Sequence, residues 1–195
     1  MEKSLAVCVF CASSDDVPAV YHDAALDLAG EMAARNMTLV YGGGNNGLMG
    51  VLSERLHTMG GNVIGVITRD LRERGFAYED ADEMIVTGDI RQRKAVMERY
   101  ADGFVCLAGG FGTLEETLEI ITLRQLGLLS RPIALMNTNQ FFALLLGQFE
   151  KMCRERFFSP EYTELFSVTE SPAAALDYIV AGQDGEGRNR PRIYS

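Results

Sequence analysis

One stretch decides the fold of this chain: Gly103-Phe-Val-Cys-Leu-Ala-Gly-Gly-Phe-Gly-Thr-Leu-Glu-Glu-Thr-Leu-Glu-Ile120. Its short apolar run at 104–107 is typical of a buried parallel strand. The segment Gly109-Gly-Phe-Gly112 predicts a turn whose backbone can approach a ligand closely. Thr113 is expected to open a helix, because apolar residues recur after it at helical spacing. A strand, a glycine loop and a helix N-terminus together predict an anion site, since free N–H groups and the positive end of the helix dipole both face it.

Two glutamates follow at the start of this predicted helix. Thr113 and Glu116 have the spacing of a capping box, in which each side chain satisfies a free backbone N–H at the helix start. Alternatively, one carboxylate faces a bound ligand across the glycine loop. Because Glu115 points about 100° away from Glu116 on a helix, the two glutamates cannot share that role. The stretch by itself leaves both interpretations open.

Composition limits the class of protein. The 195 residues, 47% of them hydrophobic, predict a single globular domain over residues 1–181, and the strand–loop–helix stretch indicates that it is an α/β domain that binds a nucleotide or another phosphorylated ligand. Residues 182–195 are rich in Gly, Arg and Asp and are predicted to be a disordered tail. The net charge of −9 argues against a nucleic-acid partner. We see neither a signal peptide nor an apolar run of membrane-spanning length, so we expect a cytoplasmic protein without a membrane partner.

The cysteines and histidines carry no strong signal for a metal or redox site. Cys8 and Cys11 have the Cys-x-x-Cys spacing, but Cys8 lies in a predicted strand and no helix begins directly after Cys11. We therefore interpret both as small core residues. His22 and His57 lie far apart without clustered acids or cysteines, so neither a metal nor another cofactor is expected.

Strands and helices alternate along the whole chain. Strands are predicted at 5–10, 38–41, 62–67, 83–87, 104–107, 132–136 and 166–168. Helices are predicted at 18–35, from the second glycine loop to about 59, at 89–100, from 113, at 139–156 and at 172–180. This order predicts a Rossmann-like α/β fold, a doubly wound parallel sheet with helices on both faces. Because ligands bind beyond the carboxyl ends of such strands, the glycine loops and Ser13-Ser14 are expected to meet in one cleft.

A second glycine loop, Gly42-Gly-Gly-Asn-Asn-Gly-Leu-Met-Gly50, follows the second predicted strand. Gly42, Gly44 and Gly47 satisfy the dinucleotide pattern G-x-G-x-x-G, which supports a dinucleotide-dependent oxidoreductase as one hypothesis. Against it, the loop follows the second strand, and no acid ends the next one at the expected place. Close packing of a helix on its strand is an alternative reason for the glycines.

Three cations, Arg91, Arg93 and Lys94, stand near the start of the helix predicted at 89–100. Cations at that end oppose the helix dipole. A solvated charged face is the ordinary explanation for such a run, but the unfavourable position favours an anionic partner.

Three blocks of sequence resemble the LOG ("Lonely Guy") family of phosphoribohydrolases, which release cytokinin bases from riboside 5′-monophosphates. The blocks are Val7-Cys-Val-Phe-Cys-Ala-Ser-Ser14, Val40-Tyr-Gly-Gly-Gly-Asn-Asn-Gly-Leu-Met-Gly50, and Arg93-Lys94 with Gly109-Gly-Phe-Gly-Thr-Leu-Glu-Glu116. The last block matches the family signature P-G-G-x-G-T-x-x-E except at Ala108, and the resemblance spans roughly residues 5–180. Family members are often labelled lysine decarboxylases, but no lysine here has a recognisable pyridoxal-phosphate context.

The resemblance implies that Arg93 and Glu116 are the catalytic pair. It also implies a homodimer, with a nucleoside 5′-monophosphate, AMP or a cytokinin ribotide, as the substrate. Cleavage of an N-glycosidic bond builds positive charge on the sugar, which a carboxylate can stabilise while it activates water. Arg93 would bind phosphate or assist the departing base. The residues expected to hold substrate are Ser13, Ser14, Gly43, Gly44, Met49, Lys94, Gly109, Gly110, Phe111, Gly112, Thr113 and Glu115.

Three positions depart from the family pattern. Where the family has a proline, this chain has Ala108, and where the family has a histidine, it has Arg91. The glutamate that family members place near the purine is also missing, and its position falls at about Gly75. These changes concern the side that recognises the base, so an AMP-preferring nucleosidase is one alternative. A non-catalytic carrier of a phosphorylated ligand such as molybdenum cofactor is another, and the intact Arg93–Glu116 pair favours the enzyme over it.

Overall fold

A seven-stranded parallel sheet forms the centre of the protein, of which the computed structural model describes residues 4–183. Its strands are β1 (Ala6–Phe10), β2 (Thr38–Tyr41), β3 (Val63–Thr68), β4 (Glu83–Thr87), β5 (Gly103–Cys106), β6 (Ile133–Met136) and β7 (Ser167–Thr169). They lie in the order β4-β3-β2-β1-β5-β6-β7, and every neighbouring pair is parallel. The predicted doubly wound α/β sheet is confirmed.

Helices connect the strands. They are α1 (Ala19–Ala34), α2 (Gly47–Thr58), α3 (Arg69–Glu73), α4 (Ile90–Tyr100), α5 (Phe111–Gln125), α6 (Ala143–Arg154) and α7 (Pro172–Gln183), with 3₁₀ turns at Thr138–Gln140 and Pro160–Glu164. The short α3 was not predicted. The helix predicted to start at 139 begins at Ala143, because Asn139 and Gln140 have positive φ angles of 49° and 56°. The last helix includes Gly182 and Gln183, and the rest of the predicted tail, 184–195, lies outside the described residues.

Each face of the sheet has its own hydrophobic core. On β1, Val7 and Val9 belong to the core that includes Leu28 of α1, Leu52 of α2 and Ile179 of α7. The alternate residues Cys8 and Phe10 belong to the core that includes Met97 of α4, Ile120 of α5 and Phe149 of α6. Side chains that alternate between two buried faces are what a parallel strand covered on both sides requires. Cys8 and Cys11 are buried in these cores, as predicted.

Helix α5 begins earlier than the sequence predicted. Its N-cap is Gly110 and its first residue is Phe111, so Thr113 lies inside the first turn. A Cβ atom at Gly109 would overlap the Thr113 side chain, which is buried against that glycine. The capping box of Thr113 and Glu116 is therefore wrong, because neither residue is at the position that the motif needs.

The order in which strands are added to the sheet changes side between β1 and β5. Strands β2 to β4 lie on one side of β1, and β5 to β7 lie on the other. Ligands of such sheets bind beyond the carboxyl ends of the strands at this switch point. The segments that follow β1, β2 and β5 all emerge at that edge. Within residues 4–183, no helix is long and apolar enough to cross a membrane.

Candidate active site

Arg93 is the most buried cation at this edge, with 8% of its surface exposed. Its Nε donates to the carbonyl oxygen of Val66 in β3, and its Nη2 donates to that of Gly42 after β2, both at 2.8 Å. A Cβ atom at Gly42 would overlap Nη2, so glycine is needed there for the guanidinium to fit. Two backbone carbonyls therefore fix Arg93 at the carboxyl ends of β2 and β3.

Glu116 faces Arg93 from α5. Its Oε1 lies 3.8 Å from Arg93 Nη1, and 13% of its side chain is exposed. Burial raises the pKa of Glu116 to about 7, although Arg93 pulls the pKa in the opposite direction. Near neutral pH this carboxyl group is therefore available in both protonation states, which suits a general acid–base catalyst.

A cleft of about 320 Å³ opens beside Arg93. Its lining combines glycine backbone and short polar side chains with an apolar wall formed by Met49, Ile67, Leu71 and Phe76. The residues that line it are Ser13, Gly42, Gly44, Asn46, Met49, Ile67, Leu71, Phe76 and Arg93. The combination of apolar surface and a few fixed polar groups is typical of a small-molecule site.

The segment 75–78 is attached to the second glycine loop and contributes Phe76 to the lining of the cleft. The N–H of Tyr78 donates to the carbonyl of Gly43 at 2.9 Å, and the N–H of Asn45 donates to that of Phe76 at 3.0 Å. The Asn45 amide also donates to the carbonyl of Gly75 at 3.2 Å. These bonds hold the half-exposed Phe76 against the second glycine loop, where it contributes to the apolar wall.

The first glycine loop presents the free end of α5 at the same edge. The first intrahelical hydrogen bond runs from the N–H of Leu114 to the carbonyl of Gly110, so the N–H groups before Leu114 have no intrahelical partner. A Cβ atom at Gly110 or Gly112 would meet nothing within 4 Å, so space remains in front of this turn. The loop adjoins the Ser13 segment through the bond from the Ala12 N–H to the Ala108 carbonyl, 3.1 Å. An anion could be bound here by amides and helix dipole alone.

Lys94 and Glu115, which were expected to hold substrate, do not line the cleft. The ammonium of Lys94 forms ion pairs with Glu115 and Glu119 of α5, and these three residues are absent from the lining of the cleft. The cationic run at the start of α4 was predicted to need an anionic partner. Its partners lie within the protein, since Arg93 faces Glu116 and Lys94 faces the two other glutamates.

The predicted site residues divide into groups. Ser13, Gly44 and Met49 line the cleft with Arg93, and Glu116 faces Arg93. Ser14 is exposed next to Ser13. Gly43 is a buried residue of the second glycine loop and has a φ of 71°. Among residues 4–183, no group of three or more His, Cys, Asp or Glu side chains is placed to hold a metal ion.

Sequence reasoning missed several parts of the site. Ile67, Leu71 and Phe76 form much of the apolar wall, but Ile67 ends a predicted strand, and Leu71 and Phe76 lie in a segment for which the sequence predicts neither a strand nor a helix. Asp15 was also missed: its carboxylate accepts the N–H of Gly47 at 2.6 Å and so holds the start of α2 next to the Ser13 segment. A serine-rich loop followed by an acid was the available signal for that contact.

Known proteins resemble the chain over most of its length. It matches the family described as "Possible lysine decarboxylase" over residues 49–179. It is 43% identical to cytokinin riboside 5′-monophosphate phosphoribohydrolase LOG3 of Arabidopsis thaliana over 168 residues, which cover 86% of this chain and 77% of that protein. It is 46% identical to LOG2 of the same plant over 153 residues, which cover 78% and 72%. The chain belongs to the LOG family. The resemblance inferred from the three sequence blocks is thereby confirmed.

The LOG fold also occurs in more distant proteins. The molybdenum cofactor binding protein from Rippkaea orientalis matches with a TM-score of 0.70 at 20% identity, over 93% of this chain and 98% of that one. The molybdenum cofactor carrier protein from Chlamydomonas reinhardtii matches with a TM-score of 0.69 at 19% identity, over 92% and 99%. At this identity the likeness concerns the fold alone.

The positions that depart from the LOG pattern have clear places in the structure. Gly75 has a φ of 81°, which favours glycine over a residue with a side chain. Ala108 is buried at the end of β5, where its carbonyl accepts the bond from Ala12. Arg91 is exposed at the start of α4 and borders a small recess with Lys94, away from the apolar wall.

Proposed function

We propose that this LOG-family protein hydrolyses the N-glycosidic bond of a purine nucleoside 5′-monophosphate to give the free base and ribose 5-phosphate. The observation that carries the proposal is the buried Arg93–Glu116 pair beside a cleft and the free N-terminus of α5. The relatives at 43–46% identity, which are named as cytokinin riboside 5′-monophosphate phosphoribohydrolases, support the same reaction.

The proposed roles follow from the geometry. The free amides of the loop from Gly109 to Thr113 bind the 5′-phosphate at the positive end of α5. Glu116 in its ionised form stabilises the positive charge that develops on the ribose and activates the attacking water. Since Nε and Nη2 of Arg93 are engaged by backbone carbonyls, only the remaining edge of the guanidinium faces Glu116. Arg93 then orients the carboxylate and the base, and the phosphate is bound elsewhere.

The apolar wall suggests which base is preferred. Met49, Ile67, Leu71 and Phe76 offer a surface that an apolar substituent on N6 of a purine would bury. We therefore propose a cytokinin ribotide with an isoprenoid chain as the preferred substrate over AMP.

A panel of substrates tests these points. The purified protein is incubated with N6-isopentenyladenosine 5′-monophosphate, AMP and the two corresponding nucleosides, and free base and ribose 5-phosphate are quantified. Faster turnover of the isopentenyl nucleotide than of AMP, with little turnover of either nucleoside, is expected. Base release from no monophosphate would reject the hydrolase, and equal rates with nucleosides would reject the phosphate anchor. Mass spectrometry of ligands retained on purification tests the carrier alternative.

The family description "Possible lysine decarboxylase" would require a lysine able to form a Schiff base with pyridoxal phosphate, and neither lysine within residues 4–183 has the environment for that role. A Schiff-base lysine needs a lowered pKa in a desolvated pocket. Burial alone would lower the pKa of Lys94, but its hydrogen bonds to Glu115 and Glu119 raise it overall. Lys151, the other lysine within 4–183, is exposed on α6.

We further propose that the protein is a homodimer. Leu118, Leu126 and Leu128, in α5 and the turn after it, are 39%, 47% and 71% exposed. Apolar side chains exposed together are typical of a surface that another chain covers. Light scattering during dilution tests this point, and a fully active monomer would refute it.

A further inference from the structure

The ammonium of Lys94 is held between two carboxylates of α5. It lies 2.7 Å from Glu119 Oε2 and also contacts Glu115 Oε1. Only 13% of the Lys94 side chain is exposed, whereas the glutamates are 43% and 59% exposed. The ammonium of Lys94 is therefore already paired with two carboxylates of the protein, unlike a lysine whose ammonium is free to bind a phosphate.

Lys94 and Arg93 are neighbours on α4 but point to different places. Consecutive helical residues lie about 100° apart, so Arg93 reaches the carbonyls of Val66 and Gly42, whereas Lys94 reaches α5. Glu115 and Glu119 are one helical turn apart and flank Glu116. Lys94 borders a small recess together with Glu116 and Glu119, and none of these three residues lines the cleft.

We propose that Lys94 is a positioning residue that acts on the reaction through Glu116: it fixes α5 against α4 and compensates the two negative charges that flank the catalytic carboxylate. This inference rests on the proposed function and assigns Lys94 a place behind the reacting groups in that same site. Without Lys94, Glu115 and Glu119 would lose the ion-pair partner that they share, while Arg93 would still face Glu116.

Charged groups of α4 and α5 surround Glu116, and the recess that it borders also includes Arg91 and Glu98 of α4. Arg93 and Lys94 lower the pKa of Glu116, whereas Glu115 and Glu119 raise it. The thiols that face it are neutral, because burial raises their pKa; they are Cys8, Cys11 and Cys106. Lys94 is thus one of two cations that favour the ionised form of Glu116.

The test compares Lys94→Met with the wild type across pH, with kcat and KM measured for a nucleoside 5′-monophosphate. The acid limb of the kcat profile is expected to move up by about one pH unit, as for loss of a nearby opposite charge, and kcat at pH 7 to fall about fivefold as the ionised fraction of Glu116 drops. KM is expected to change by less than about twofold, because phosphate binding is left intact. Lys151→Met, the same substitution in an exposed ion pair of α6, is the control and should leave kcat, KM and the profile unchanged.

A triple variant separates the two possible roles of Lys94. Lys94→Met combined with Glu115→Gln and Glu119→Gln removes the flanking negative charges as well, so the acid limb and most of the lost kcat should return. A lysine that binds phosphate could not be rescued in this way. A rise in KM of tenfold or more, with an unshifted acid limb and no rescue, would overturn the proposal.

A titration of the free protein keeps this test independent of catalysis. With ¹³C-labelled glutamate carboxyl groups, NMR follows the ionisation of Glu116 in the wild type and in Lys94→Met. If the wild type hydrolyses no nucleotide, the proposed function fails, but the titration still decides the role of Lys94. An unchanged Glu116 titration in the variant would overturn the role proposed here.

Discussion

Replacing Glu116 with glutamine removes a negative charge while it keeps the size of the side chain. Glu116 lies well inside α5, whose N-cap is Gly110, so the substitution removes no helix cap. In the proposed mechanism, the carboxylate acts on charge that is present mainly in the transition state. Its loss should therefore lower kcat by a factor on the order of 10² or more, while the nucleotide still binds.

The same change should stabilise the fold at alkaline pH. In the folded protein, the pKa of Glu116 is raised from 4.5 to about 7. The folded state then holds more protons than the unfolded state between these values, so wild-type stability falls as pH rises through that window. At about 1.4 kcal/mol per pKa unit, the ionised carboxylate costs up to about 3 kcal/mol above pH 7. Glutamine avoids this cost, so the variant should be more stable at pH 8 and close to the wild type near pH 4.5.

Urea unfolding of both proteins at pH 4.5 and pH 8, together with kcat on one monophosphate, measures both effects. Glu155→Gln is the matched control at an exposed position and should change neither quantity. Wild-type turnover in Glu116→Gln would refute the catalytic role. A variant less stable than the wild type at pH 8 would refute the reasoning about the buried charge.

Two further predictions concern backbone positions. Gly42→Ala should displace the Arg93 guanidinium, because the new Cβ would overlap Nη2, and a misplaced catalytic group can cost about 10²-fold in kcat. Gly30→Ala is the control: its new Cβ, inside α1, would meet nothing within 4 Å, so this variant should retain full activity. Gln140→Gly should raise Tm by about 2–4 °C, because Gln140 is exposed with a φ of 56° and a non-glycine residue in that region costs about 1 kcal/mol. Asn139→Gly should raise Tm less, since asparagine tolerates this conformation. A lower Tm for Gln140→Gly would contradict the argument.

The strands could be predicted from sequence because their burial leaves a direct trace. The predictions at 38–41 and 83–87 coincide with β2 and β4, and the other strands differ by one or two residues. Strands covered on both faces are short apolar runs, and glycine or polar segments end them. The helix after β6 was less predictable, because the left-handed conformations at Asn139 and Gln140 depend on the chain around them.

The sequence motifs named the residues of the candidate site but could not give their contacts. Arg93 and Glu116 could be named from motifs, yet nothing in the sequence states that two carbonyls fix Arg93. The spacing of Thr113 and Glu116 fits a capping box, but Thr113 fills the space beside Gly109 and the helix starts at the preceding turn. The partners of Lys94 and the apolar wall arise from segments that are distant in sequence and meet only when the sheet forms.

The separation between Arg93 and Glu116 explains how the carboxyl group keeps a pKa near neutrality. A close two-point contact between arginine and a carboxylate strongly favours the ionised form and lowers the carboxyl pKa. Here the guanidinium is held by the carbonyls of Val66 and Gly42, and its distance of 3.8 Å from Glu116 leaves the effect of burial dominant. Gly42 contributes to this balance by providing both an acceptor and the space that the guanidinium occupies. The near-neutral pKa of Glu116 therefore depends on backbone groups at this end of the sheet as much as on the charged pair itself.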